Sequence, residues 1–98
     1  MITIISGTNR KNNVTSKIAK AYSELLSKSN LENQVLDLQD LPADFLFSAL
    51  YGETNKNYQN IVKSNIYDSS SLVIISPEYN GSYPGVLKSF IDGWDRRV

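Results

Sequence analysis

The chain predicts an α/β fold built on a parallel sheet, and three observations carry that expectation. Two short apolar runs, Ile2–Ile5 (interrupted only by Thr3) and Leu72–Ile75, each stop at a turn-forming pair, Ser6-Gly7 and Ser76-Pro77. Apolar runs of this length, bounded by turn residues, suit strands buried on both faces, as in parallel sheets. Strand-like and helix-like segments then alternate in the order β-α-β-loop-α-β-α, which calls for right-handed crossovers within one sheet. With 98 residues there is room for one small domain and one hydrophobic core.

Taken in order, Ile2–Ile5 forms the first strand. Val14, Ile18, Tyr22, Leu25 and Leu26 recur at helical spacing, with Lys17, Lys20, Glu24 and Lys28 opposite, so the first helix turns that stripe inward. Gln34–Leu38 alternates polar and apolar residues and fits a strand nearer a sheet edge. Gln39–Gly52, with Pro42, reads as irregular. A second helix runs from Thr54 or Asn55 to Tyr67, with Tyr58, Ile61, Val62 and Ile66 inward. After the Leu72–Ile75 strand, the last helix starts at Pro84, a favoured first helical position, and carries a Leu87, Phe90, Ile91, Trp94 stripe. Phe90 and Trp94 are expected in the core, Tyr51, Tyr58 and Tyr67 at helix edges, and Asp92, Asp95, Arg96 and Arg97 at a solvated terminus. No repeat, low-complexity tract or linker divides residues 1–98.

Composition narrows the chemistry. Apolar residues make up 41% and charged residues 20%, a globular balance. Ten basic residues offset ten acidic ones, so no overall field draws the chain to nucleic acid or an anionic membrane. The start has no basic segment followed by a long apolar one, and no run approaches spanning length; a soluble, cytoplasmic protein is the expectation. The absence of cysteine removes disulfides and thiolate chemistry, and the absence of histidine removes the commonest general base. Asp37, Asp40 and Asp44 lack metal-ligand spacing, so no metal site is expected, and no side chain is assigned a catalytic role. The chemistry falls to a bound cofactor, or to carboxylates, hydroxyls, lysine and tyrosine.

Ligands of open parallel sheets bind beyond the carboxyl ends of the strands, where the winding direction reverses. With the middle strand beside the first and the Leu72 strand on its other side, that point lies between Ser6–Ser16 and Ser76–Gly85. The first loop, Ser6-Gly7-Thr8-Asn9-Arg10-Lys11-Asn12-Asn13-Val14-Thr15-Ser16, is dense in hydroxyls and amides and opens into a helix. Free amide hydrogens and the helix dipole favour an anion there, and Arg10 can pair with a phosphate oxygen. The same residues also make an ordinary helix cap. The loop has neither a P-loop nor a G-x-G-x-x-G pattern. The second loop, Ser76-Pro77-Glu78-Tyr79-Asn80-Gly81-Ser82-Tyr83-Pro84-Gly85, is stiff and rich in backbone donors, able to lie along a planar ring or simply to turn into the next helix.

Together, Ser-Gly-Thr-Asn-Arg after the first strand and Pro-Glu-Tyr-Asn-Gly-Ser-Tyr-Pro-Gly after the third resemble the NADPH-dependent FMN reductase family of flavin, quinone, azo and chromate reductases. Leu87–Asp92 matches the family's following helix. The resemblance implies a flavodoxin-like three-layer sandwich, with three strands of the usual five in the order 2-1-3. It further implies FMN as cofactor and NAD(P)H as co-substrate, with hydride passed to a flavin, quinone or similar acceptor. By position, Thr8, Arg10, Asn13 and Thr15, with Ser6 and Ser16 nearby, fall where the family holds the FMN phosphate. Pro77, Glu78, Tyr79, Asn80, Gly81 and Ser82 fall where it lines the isoalloxazine. Asn13 stands where a serine is expected, and Val14 where a polar residue is common.

The resemblance covers nearly the whole chain but only about the first half of a family member, so residues 1–98 are expected to be a partial FMN-binding domain. A helix that the family lays beside the first one, over the Leu72–Ile75 strand, is not among them. That strand should keep a bare face and an unpaired edge, which favours homo-oligomerisation or marginal stability. The alternatives are a flavin-binding electron carrier without a nicotinamide reaction, and a non-catalytic remnant or interaction module.

Overall fold

A computed structural model describes residues 1–42 and 56–94. Tyr51, Asp44, the expected helix start at Thr54 or Asn55, and Asp95, Arg96 and Arg97 lie outside them. Strands β1 (Ile2–Ser6), β2 (Asn33–Asp37) and β3 (Ser71–Ile75) form a parallel sheet in the order β2-β1-β3. The central β1 is buried from Thr3 to Ser6, as its β-branched, apolar run requires. Parallel partners in register share a face, so Ile4 and Ser6 lie beside Val35 and Asp37 on one side and Val73 and Ile75 on the other. Thr3 and Ile5 share the opposite face with Gln34, Leu36, Leu72 and Ile74.

Helix α1 (Thr15–Lys28) lies on the Ile4 face, with Ala19 and Thr15 buried against the sheet. The Ile5 face carries the main core. There α2 (Lys56–Val62), which runs on as a π-helical turn over Lys63–Tyr67, and α3 (Gly85–Asp92) bring Tyr58, Val62, Leu87 and Phe90 onto Ile5, Leu36 and Leu38. Tyr58 donates a buried hydrogen bond to the Phe90 carbonyl at 2.9 Å, and its ring meets Phe90 edge-on. Phe90 meets Trp94 the same way, with ring centres 5.7 Å apart. The three layers, α1, sheet and α2 with α3, make a flavodoxin-like α/β fold.

Five expectations change. The middle strand ends at Asp37, and Leu38 is buried in a 3₁₀ turn, Leu38–Asp40, that Asp37 caps by accepting from the Gln39 amide. Pro84 is the residue before α3, not its first; it is extended, and Gly85 opens the helix. Tyr58 lies in the core, not at a helix edge. The largest change concerns the apolar stripe of α1. Ala19 meets the sheet and Leu26 is half-buried, whereas Val14, Ile18, Tyr22 and Leu25 are exposed. α1 packs chiefly on β1 and β2, and this part of its stripe is left open among the described residues. β3 is likewise more open than a doubly buried strand: Leu72 and Ile74 remain 37% and 44% exposed. They lie on the α2 and α3 face, whereas Val73 and Ile75, on the face expected to be bare, are half-buried.

Candidate functional site

The Gly7 amide donates to the Ile75 carbonyl at 2.9 Å, fastening the carboxyl ends of β1 and β3 together where the two loops leave the sheet. A Cβ at residue 7 would press on that carbonyl at 3.0 Å and on Leu87 at 3.2 Å, so a larger residue there would push the two strand ends apart by a few tenths of an ångström. Thr8 follows, wholly buried, and its hydroxyl spans the gap: it lies 2.7 Å from the Tyr79 hydroxyl and accepts from the Arg10 amide at 3.2 Å. The Arg10 guanidinium rests 4.0 Å from the centre of the Tyr79 ring. Tyr79 is half-buried and Arg10 exposed, and a cation–π contact near the surface is worth about 0.5–1 kcal/mol. Thr8, Arg10 and Tyr79 thus clasp the two loops, which are separated by more than sixty residues of sequence.

Farther along the first loop, Asn12 adopts a left-handed φ of 56° and turns the chain toward α1. Asn13 then caps the helix in fact: its Oδ1 accepts from the Ser16 amide at 2.8 Å, while its Nδ2 donates to the Arg10 carbonyl at 2.6 Å. The Ser16 hydroxyl has one proton and two acceptors in range, Asp37 Oδ2 at 2.8 Å and Asn13 Oδ1 at 3.0 Å. The nearer, charged oxygen takes it, because charge-assisted hydrogen bonds are the stronger kind. Gln39 Nε2 donates to the same hydroxyl at 3.1 Å. Thr15 is turned into the sheet and is 6% exposed. Ser6 is wholly buried, and its Oγ has no partner among the described residues.

The second loop is a tight hairpin. Tyr79 and Ser82 exchange both backbone hydrogen bonds, at 2.8 and 3.1 Å, around Asn80 (φ 54°) and Gly81 (φ 79°). Consecutive positive φ values are the signature of a type I′ turn, which Asn-Gly favours above other pairs. Glu78 Oε1 accepts from the Gly81 amide at 2.6 Å and fixes the turn from inside. Pro77 is half-buried and Pro84 buried, while Tyr83 is 51% exposed.

Of the residues expected at the site, Thr8, Arg10 and Tyr79 are brought into contact, and Asn13 and Ser16 form the start of α1. Ser6 lies behind them in the sheet. Glu78, Asn80, Gly81 and Ser82 shape the neighbouring hairpin, and Glu78 and Arg10 are engaged within the protein. Asp37 and Gln39 were not expected there. Asp37 ends β2, and the order β2-β1-β3 sets it beside Ser6, so a strand-end carboxylate next to β1 is the signal that points to it. Among the described residues, no cluster of acidic side chains could hold a metal ion, and no helix is long and apolar enough to cross a membrane.

The profile of NADPH-dependent FMN reductases matches residues 1–97. A 2-hydroxy-1,4-benzoquinone reductase of a Burkholderia species is 32% identical over 96 residues, covering 98% of this chain and 50% of that protein. A quinone reductase of Pseudomonas putida is 31% identical, covering 93% of this chain and 47% of that protein. An FMN-dependent NADPH-azoreductase of Staphylococcus aureus is 30% identical, covering 91% and 49%. The apo crystal structure of an NADH:FMN oxidoreductase superposes with a TM-score of 0.77 at 29% identity, covering 97% of this chain and 50% of that one. The chain therefore spans about half the length of the relatives it matches. A family match over residues 1–97, on a sheet of the expected order, places the chain in the NADPH-dependent FMN reductase family.

Proposed function

We propose that these residues form the FMN-binding part of an NAD(P)H-dependent reductase whose acceptor is a quinone, a flavin or a similar small oxidant. The observation that carries this reading is the clasp of Thr8, Arg10 and Tyr79, which sets a hydroxyl- and amide-rich helix start beside a stiff aromatic hairpin at the carboxyl ends of β1 and β3. The residues suit the group. Ser6 presents a buried hydroxyl without a partner among the described residues, and Arg10 supplies a cation at the loop nearest α1. On this reading, Ser6, Thr8, Arg10, Thr15 and Ser16 serve the phosphate, and Pro77 to Ser82 lie along the ring. Bound FMN would supply the redox chemistry, taking hydride from a nicotinamide and passing reducing equivalents to the acceptor. The chain's own part is to bind and orient. Arg10 offsets phosphate charge, the Glu78–Gly81 contact keeps the hairpin in one shape, and the Gly7–Ile75 bond keeps the loops at a fixed separation.

The decisive measurement is titration of the purified protein with FMN, followed by flavin absorbance and fluorescence. Saturable binding with a shifted flavin spectrum is expected; no binding removes the reading. Steady-state NADPH or NADH oxidation with a quinone then tests the reductase step, and a flavin-loaded protein without turnover would be a carrier instead. The reading also includes association with a second copy, supported by the exposed apolar groups of α1 and β3.

A further inference from the structure

The start of α1 already holds an acceptor. Asn13 Oδ1 sits on the Ser16 amide at 2.8 Å, which is the kind of bond a phosphate oxygen makes at a helix N-terminus. Ser6 lies on the same face of the sheet, at the end where α1 begins, and its register partner Asp37 holds the Ser16 hydroxyl. The Ser6 hydroxyl is fully buried there with no partner among the described residues, so the donor set is left one acceptor short. From this arrangement we infer that Asn13 is an internal stand-in for the anion: it caps α1 in the free protein and must leave for phosphate to bind. The inference rests on the FMN-binding reading above and deepens it, because it identifies a residue that sets the affinity.

Chemistry decides which acceptor gives way. Asp37 is charged and is held by the Ser16 hydroxyl, the Gln39 amide and the Gln39 side chain, so it stays. Asn13 is a neutral amide on a half-buried side chain, and a charged oxygen makes the stronger bond to the same amide. At Ser16 the phosphate bond is the stronger of the two; set against it are the cost of uncapping and the repulsion of Asp37, whose Oδ2 lies 2.8 Å from the Ser16 hydroxyl. Asn13 also ties the Arg10 carbonyl at 2.6 Å, so its departure loosens the stretch that carries Arg10 away from Tyr79. One residue thus couples the helix start to the clasp between the loops. Asn13 opposes the phosphate, whereas the family resemblance made it a ligand.

The two roles predict opposite signs. Asn13→Ala removes the competitor, so FMN should bind about fivefold more tightly, the factor a typical N-cap is worth. Asn13→Asp keeps the cap and adds a negative charge, so FMN should bind at least about fivefold more weakly. Riboflavin, which has no phosphate, should bind wild type and both variants alike. Unchanged or weaker FMN binding by Asn13→Ala overturns the inference while leaving the FMN reading intact. Thermal unfolding with and without inorganic phosphate decides the matter apart from flavin. Phosphate should raise the midpoint more in Asn13→Ala than in wild type, and an equal or smaller rise overturns the inference. Failure of wild type to bind FMN would instead sink the proposed function, with the phosphate shift still judging Asn13.

Discussion

Arg10 has an occupation before any ligand arrives. Its guanidinium lies on the Tyr79 ring, a contact worth about 0.5–1 kcal/mol that must be surrendered if the group turns to a phosphate. A hydrogen bond to a charged partner contributes about 1.5–3 kcal/mol. The net loss of FMN affinity in Arg10→Ala should therefore be about 1–2 kcal/mol, smaller than the bond alone implies. Isothermal titration checks it, and an unchanged Kd would remove Arg10 from the site. In the hairpin, Gly81→Ala meets open space except for Glu78 Oε1 at 4.0 Å, so its cost is conformational. At φ 79° that cost is about 1 kcal/mol of stability, read as a lower midpoint in urea. A variant as stable as wild type would show that the loop does not hold this turn.

At the scale of elements, α2 and α3 are joined through Tyr58. Its phenol is buried against Phe90, and desolvation, with Tyr67 adding to it, pushes its pKa from 10.0 up to about 12. A raised acid stays neutral in the folded chain while the unfolded chain ionises. The stability it contributes is thus complete below pH 10 and falls away as pH rises toward 12. Tyr58→Phe should lower stability near neutral pH by about 1 kcal/mol through the lost hydrogen bond. It should also flatten the decline between pH 10 and 12, and an identical alkaline slope in both proteins would refute the assignment. Tyr58 also shows what the sequence conceals. Helical spacing places it inward, but its hydrogen bond depends on where α3 ends up. The strands and helices themselves were legible, because apolar runs and Gly, Pro and Asn punctuation are local. Asp37 was not, since its place beside Ser16 follows from strand order. The flank of α1 was misread for a related reason: Ile18 and Leu25 have the period of a buried face, but periodicity does not say whether a neighbouring element covers it. At the candidate site, local residue types singled out the two loops, while the cap by Asn13 and the clasp by Thr8, Arg10 and Tyr79 required coordinates.

For the molecule as a whole, the open side of the sheet has the largest consequence. β3 pairs with β1 on one edge, and its other edge has no partner among the described residues. Leu72 and Ile74 stand exposed along it, with Val73 and Ile75 half-buried on the opposite face. A strand edge of this kind is a template for another strand, and β3, Ser71–Ile75, has none of the charged side chains that normally discourage pairing. A second copy can supply that strand by symmetry, with β3 against β3 about a two-fold axis and antiparallel, so that the same surface is covered on both chains. The zero net charge adds no repulsion between copies. Light scattering should therefore give a mass that rises with concentration toward that of a dimer. Ile74→Lys should return the chain to a monomer, because it places a charge on the edge at a position already 44% exposed, where the folded monomer loses little. Full retention of the dimer in that variant would move the interface away from β3, to the exposed flank of α1 around Ile18 and Leu25. A wild-type chain that stays monomeric at every concentration would show that the edge is protected by some other means and would end the oligomer reading.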